Sequence, residues 1–208
     1  MIDSTVLLTF FMTSVILALS PGPDNLFVMA QSAQNGRSAG ISVTLGLASG
    51  LMVHTVAVAV GLAAVVHSSA VAFSILKYIG AAYLLYLAWQ AFRASTVTGQ
   101  QEQVPVLSRV NLYRRGIIMN LTNPKVSLFF MAFLPQFANP RYGSMTAQFV
   151  QLGAVFIMAT LLVFILISFL AGGFVDKFRN SSLAQKTVNR IASLLFIGLA
   201  FKLALSER

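Results

Sequence analysis

Long apolar stretches separated by short polar intervals dominate the chain. Six of them, at residues 7–30, 40–66, 70–92, 115–134, 147–172 and 188–205, are long enough for helices that cross a hydrocarbon layer of about 30 Å. Little chain is left for anything outside a bilayer. The pattern predicts an all-α integral membrane protein with six transmembrane helices in one domain, residues 1–208.

Two of the six stretches are interrupted. Ser20-Pro21-Gly22-Pro23-Asp24-Asn25 lies inside the first, and Asn120-Leu121-Thr122-Asn123-Pro124-Lys125 lies inside the fourth. Proline removes a backbone donor and clashes with the preceding turn, and it biases the residue before it away from helical geometry. Helices 1 and 4 are therefore expected to be broken. Freed carbonyls are tolerated at membrane depth only where they face protein or a water-filled cavity, which makes both breaks candidate sites. Asp24 lies ten residues before Gln34, and Pro124 lies ten residues after Arg114. At about 1.5 Å per residue, both fall roughly 15 Å inside the same boundary, near the midplane.

The breaks also belong to a weak internal repeat. Residues 26–30 read LFVMA and residues 128–132 read LFFMA, each directly after its proline element, and residues 77–89 align with 189–201 at Ile79, Leu87 and Ala88. Three spans per half is an odd number, so the halves are inverted in the membrane. The expected plan is repeat one at about 1–95, a cytoplasmic loop at about 96–112, and repeat two at about 113–208. Paired interrupted segments in corresponding positions point to a transporter's binding site.

Composition removes whole classes of function. The chain is 57% hydrophobic and 9% charged, against roughly 45–50% and about 25% in soluble domains. Cysteine is absent, which excludes disulfides and thiolate chemistry. The net charge of +9 reads as topology rather than as nucleic-acid binding. Nine of the fourteen basic residues (Arg37, Arg93, Arg109, Arg114, Arg115, Lys177, Arg179, Lys186 and Arg190) follow spans one, three and five. The positive-inside rule makes that side cytoplasmic and puts both termini outside. The N-terminus has no basic n-region and its apolar run is too long for a signal peptide, so span one is expected in the mature protein.

The remaining polar residues within spans are few. His54 needs a partner in hydrocarbon and is expected to face the bundle, either in transport or in a structural hydrogen bond. Gly46 and Gly50 form a small-residue pair for close helix packing, within one bundle or between copies in a homo-oligomer. Tyr86 and Trp89 beside Arg93 read as an interfacial belt. Of five acidic residues, Asp3, Glu102, Asp176 and Glu207 fall outside the spans. A membrane enzyme would need paired carboxylates, a nucleophile or a metal cluster, and His54 and His67 are too separated for one. No catalytic residue, metal or cofactor is expected. A passive scaffold would not need a midplane carboxylate between two prolines, and no P-loop is present to power an ATP-driven pump.

Taken together, several motifs resemble the LysE/RhtB family of amino-acid exporters. They are Pro21-Gly22-Pro23-Asp24-Asn25-Leu26, Gly36-Arg37 leading to Gly40, the glycines of span two, Gly80-Ala81-Ala82-Tyr83-Leu84, and Asn123-Pro124-Lys125 followed by Phe133-Leu134-Pro135-Gln136-Phe137, with Gly198 in the last span. The resemblance implies six helices as two inverted triplets in a bacterial inner membrane. It also implies proton-driven efflux of amino acids or close derivatives, with an uncoupled facilitator as the alternative. The implied partners are an amino-acid substrate, protons and the lipid bilayer. Where the family often has asparagine after the second proline, this chain has Asp24. On the residues, Asp24 and the carbonyls near Ser20 are assigned to a substrate ammonium, and the helix start at Pro23 to its carboxylate. Lys125 is assigned to the carboxylate or to an ion pair with Asp24. The bland alternatives are that Asp24 caps a half-helix and Lys125 snorkels. Asp24 and His54 are the candidate proton carriers.

Overall fold

The computed structural model describes residues 2–20, 22–62, 70–94, 106–170 and 181–205, and these are mostly helical with no strand among them. The first apolar stretch forms α1 (Ser4–Leu19) and α2 (Pro23–Asn35), whose axes meet at 65°. Asp3 caps α1 by accepting the Thr5 N–H at 2.7 Å, a bond that holds its carboxyl below the usual carboxylate range. Gly36, at φ 84°, turns the chain directly into α3 (Arg37–Ala57). A side chain is strained in that left-handed region, whereas glycine is not. A π-helical turn, Val58–Leu62, prolongs α3.

The next helices are α4 (Ala70–Arg93), α5 (Arg109–Thr122) and α6 (Pro124–Ala132). The α5 segment meets the segment Pro124–Phe137 at 54°, with Leu134–Phe137 as a 3-10 turn. Two long helices complete the chain, α7 (Met145–Leu170) and α8 (Ser182–Leu205). By length and composition α8, α7 and the segment Arg37–Gly61 can each cross a membrane, and counting each bent pair as one span gives up to five.

Several helices begin before the apolar limits. α5 begins at Arg109 and α8 at Ser182, six residues before the apolar stretches at 115 and 188. The reason is capping: the Ser108 hydroxyl accepts the Asn111 N–H, and the Ser181 hydroxyl accepts the Ala184 N–H. A capped helix continues into polar sequence because its backbone bonds do not depend on side-chain hydropathy. Pro21, residues 63–66 of the second stretch, His67, the loop 96–105, Gly172, Asp176, Lys177, Arg179 and Glu207 lie outside the described residues.

Buried phenylalanines hold one core together: Phe10 of α1, Phe129 and Phe130 of α6, Phe133, Phe137 and Phe156 of α7. Their ring centroids lie 4.7–6.5 Å apart, within the range of favourable aromatic pairs. The outer surface is equally apolar, with Val60 70% and Leu194 69% exposed. Apolar faces of this extent suit lipid rather than water.

Helix α3 is central and packs against α2, α5 and α7, while α4 pairs with α8. Backbone approach at α3 depends on missing side chains. A Cβ on Gly46 would collide with the Tyr113 carbonyl, one on Gly116 with the Val43 carbonyl, and one on Gly50 would sit 2.7 Å from the Asn120 side chain. The Gly46 and Gly50 stripe is thus filled by α5 of the same chain. Gly198 has open space around its Cβ position. Gly46→Ala should cost about 1–3 kcal/mol through backbone displacement, whereas Gly198→Ala should be neutral or stabilise by up to about 1 kcal/mol. Thermal unfolding of the two variants in detergent checks the contrast.

Candidate functional site

A helical carbonyl at position i bonds the N–H at i+4. Prolines at 21, 23 and 124 carry no N–H, so the carbonyls of Leu17, Leu19 and Asn120 lose their regular donors. The structure supplies substitutes at Leu17 and Asn120. Leu17 O accepts from the Ser20 N–H at 3.2 Å and from Lys125 Nζ at 3.3 Å. Asn120 O accepts from the Asn123 N–H at 3.1 Å and lies 3.4 Å from His54 Nε2. A carbonyl only accepts, so that bond requires the Nε2–H form of the imidazole.

Neighbouring carbonyls are met in the same way. Lys125 Nζ also donates to Ser20 O at 3.1 Å, and Asn25 Nδ2 donates to Ala18 O. Ser20 itself is buried at the end of α1. Gly22 begins α2 in an extended conformation, and a Cβ there would lie 3.3 Å from Lys125 Nζ. Both Pro23 and Pro124 stand in the first turn of their helices, where a missing N–H costs nothing.

The two bent pairs are clasped through Asn123. Its Oδ1 accepts the Lys125 N–H at 3.0 Å, capping α6, while its Nδ2 donates to Asp24 Oδ2 at 2.9 Å. Asp24 is 5% exposed in the first turn of α2, and its Oδ1 has no hydrogen-bond partner. Asn120 and Asn25 are likewise buried with Oδ1 unpartnered. Of the expected site residues, Ser20, Gly22, Asp24, Asn25, His54, Asn120, Asn123 and Lys125 therefore belong to one connected neighbourhood. His54 is half-buried, its ring 5.7 Å from that of Phe130. Gly80 is buried on α4, which packs on α8 and α6.

Sequence reasoning passed over Gln31, a fully buried amide whose Oε1 accepts from Asn35 at 2.8 Å and whose Nε2 has no partner. The signal was present. Asp24, Val28, Gln31 and Asn35 recur at helical spacing along one face of α2. The aromatic cluster was also missed, because a phenylalanine in a membrane span is unremarkable until its partners on other helices are known.

Residues 15–207 match the LysE type translocator family. The chain belongs to that family. It is 38% identical over 154 residues to the homoserine/homoserine lactone efflux protein of Salmonella typhimurium, covering 74% of each chain, and it is equally identical over the same length to the namesake in Salmonella typhi. An uncharacterized membrane protein of Vibrio cholerae is 30% identical over 205 residues, 99% of each chain. No solved structure matches significantly. This LysE-type protein is a transporter and not an enzyme.

In this translocator the lysine bridges two helix segments through backbone carbonyls. Lys125→Met should leave Leu17 O and Ser20 O without that donor and lower stability by about 1–3 kcal/mol. Lys125→Arg, which keeps a charged donor, should lose less. Unfolding midpoints of the three proteins in one detergent give the ordering.

Proposed function

We propose that this LysE-type translocator exports amino acids or small derivatives from the cytoplasm, with homoserine and its lactone as the first compounds to try. The substrate sits at the midplane between the two helix breaks, and proton entry drives its exit. One observation carries the reading: Asp24 is buried where the two bent pairs are clasped, with one carboxylate oxygen left unpartnered. A charge at membrane depth is expensive and is retained for function. The names of the Salmonella relatives supply the substrate class.

The architecture proposed with this function has six spans as two inverted triplets. α1 with α2, α3 and α4 form the first, and α5 with α6, α7 and α8 the second. α4, with 24 residues, is about 36 Å long and completes the count. Packing supports the pairing. Exchanging the triplets turns the α1–α7 contact into the α5–α3 contact and returns α3–α7 and α4–α8 to themselves. Basic residues concentrated after spans one, three and five support termini on the periplasmic side of a bacterial inner membrane.

Asp24 and His54 are the proposed coupling groups. A substrate ammonium on Asp24 Oδ1 competes with a proton for the same carboxylate, so loading and protonation exclude one another. His54 reaches the same network through the Asn120 carbonyl.

In proteoliposomes, Asp24→Asn should insert and fold yet lower homoserine export at least about tenfold, one pKa-sized loss of interaction. Full export by that variant would remove Asp24 from the site. His54→Gln should keep exchange at zero pH gradient but lose acceleration by an imposed gradient. Wild-type export that persists undiminished after the proton gradient is collapsed would instead identify an uncoupled facilitator.

A further inference from the structure

Buried hydroxyls on these helices bond their own backbone. Ser32 donates to Val28 O, Thr55 to Leu51 O and Ser168 to Phe164 O, each to the carbonyl four residues back, the usual local partner for such a side chain. Thr160 of α7 does not. It is 4% exposed, and its Oγ1 has no hydrogen-bond partner. A polar group buried without a partner costs stability.

Helix register places this hydroxyl. A Cβ on Gly40 of α3 would collide with the Ser32 hydroxyl of α2 and lie 2.6 Å from the Ser168 hydroxyl of α7, and one on Gly153 of α7 would collide with the Thr55 side chain of α3. The advance from Gly40 to Thr55 equals that from Ser168 back to Gly153, so α3 and α7 are antiparallel and matched in register. Between these contacts Ala48 comes level with Thr160, which shares one face of α7 with Gly153 and Ser168 at helical spacing. The Gly36 turn sends α2 back along α3, and eight residues before Ser32 stands Asp24. Ala18 and Val28, on either side of the first break, share a buried cluster with Val163 and Phe164 of α7. Thr160 is therefore level with the first break, about 12 Å along the helices from the Ser32 and Ser168 contact.

At that level α2 presents two unpartnered acceptors, Asp24 Oδ1 and Asn25 Oδ1, on residues more than nine-tenths buried. A threonine hydroxyl can donate. A molecule carrying a donor beside an oxygen would satisfy both sides, with its donor on the α2 acceptors and its oxygen on Thr160. An amino acid has that pair on adjacent carbons, the ammonium on one and the carboxyl oxygens on the next. Closing the acid into a lactone leaves the carbonyl oxygen in place.

Resting on the export reading above, we propose that Thr160 is a substrate-binding residue, whose hydroxyl donates to the carboxyl or lactone carbonyl oxygen next to the substrate's amine. Helix α7 then completes a site otherwise built from the two bent pairs. The substrate class narrows to amines with a carbonyl group on the neighbouring carbon, and an amine without that group loses one of its two contacts.

The test is the KM for homoserine export by the full chain in proteoliposomes, with propanolamine, the amine left when homoserine loses its carboxyl group, as competitor. Thr160→Val removes the hydroxyl and keeps the shape. It should raise the homoserine KM about tenfold, the size of one lost hydrogen bond, and leave inhibition by propanolamine within about twofold of wild type. It should also unfold no earlier than wild type, because the hydroxyl it removes has no protein partner. Thr160→Ser should bring the homoserine KM back to within about threefold of wild type. A wild-type KM in Thr160→Val would overturn the proposal, as would equal weakening of homoserine and propanolamine. Earlier unfolding of Thr160→Val would show that the hydroxyl is structural and overturn it as well. If the wild type moves no homoserine, labelled lysine, leucine and threonine are tried against their decarboxylated amines under the same criteria. Transport of any of these that ignores Thr160→Val removes Thr160 from the site and leaves the export reading standing. Failure of every amino acid and derivative in the wild type removes the export reading, and the role of Thr160 with it.

Discussion

A carbonyl inside a bilayer has no water to fall back on, and three prolines in this chain take regular donors away. Much of the surrounding structure answers that deficit. Lys125 crosses from α6 to the carbonyls at the end of α1, Asn25 reaches back to Ala18, and His54 approaches the carbonyl of Asn120 from α3. Each of these side chains satisfies a backbone group and links two segments. An unsatisfied carbonyl in hydrocarbon costs several kcal/mol, so these links matter more than their number would imply in a soluble protein.

That origin explains what the junction of the two bent pairs is made of. The polar contacts between α1, α2 and α6 include hydrogen bonds to carbonyls beside the breaks and one carboxylate–amide bond between Asp24 and Asn123. A ligand that binds Asp24 acts directly on the clasp between the two bent pairs. The carboxylate has one oxygen on that clasp and the other without a hydrogen-bond partner.

Around the clasp, packing follows the demands of a lipid solvent. Leucine gains little by leaving lipid for protein, so helices associate through close backbone approach and polar contacts. Gly46, Gly50 and Gly116 let α3 and α5 touch, Gly153 leaves room for Thr55, and Gly40 leaves room for Ser32 and Ser168. The phenylalanine cluster does the complementary work on the α1 and α6 side, filling volume with rigid rings.

The helices, the points at which they lose donors and the residues close to those points could be read from the amino-acid order alone. Hydropathy over 20 residues and the chemistry of proline are local, so Pro23, Asp24, Asn123 and Pro124 were legible without a structure. The family was legible for the same reason, because its motifs lie at the breaks. Which side chain meets which partner came from the packed bundle. Lys125 was expected on Asp24 or on a substrate carboxylate, yet it bonds Leu17 and Ser20, while Asn123 takes the carboxylate. Those contacts join residues about a hundred positions apart. Which of several donors reaches a given acceptor depends on helix crossing and glycine contact, and these are properties of the packed bundle rather than of any stretch within it.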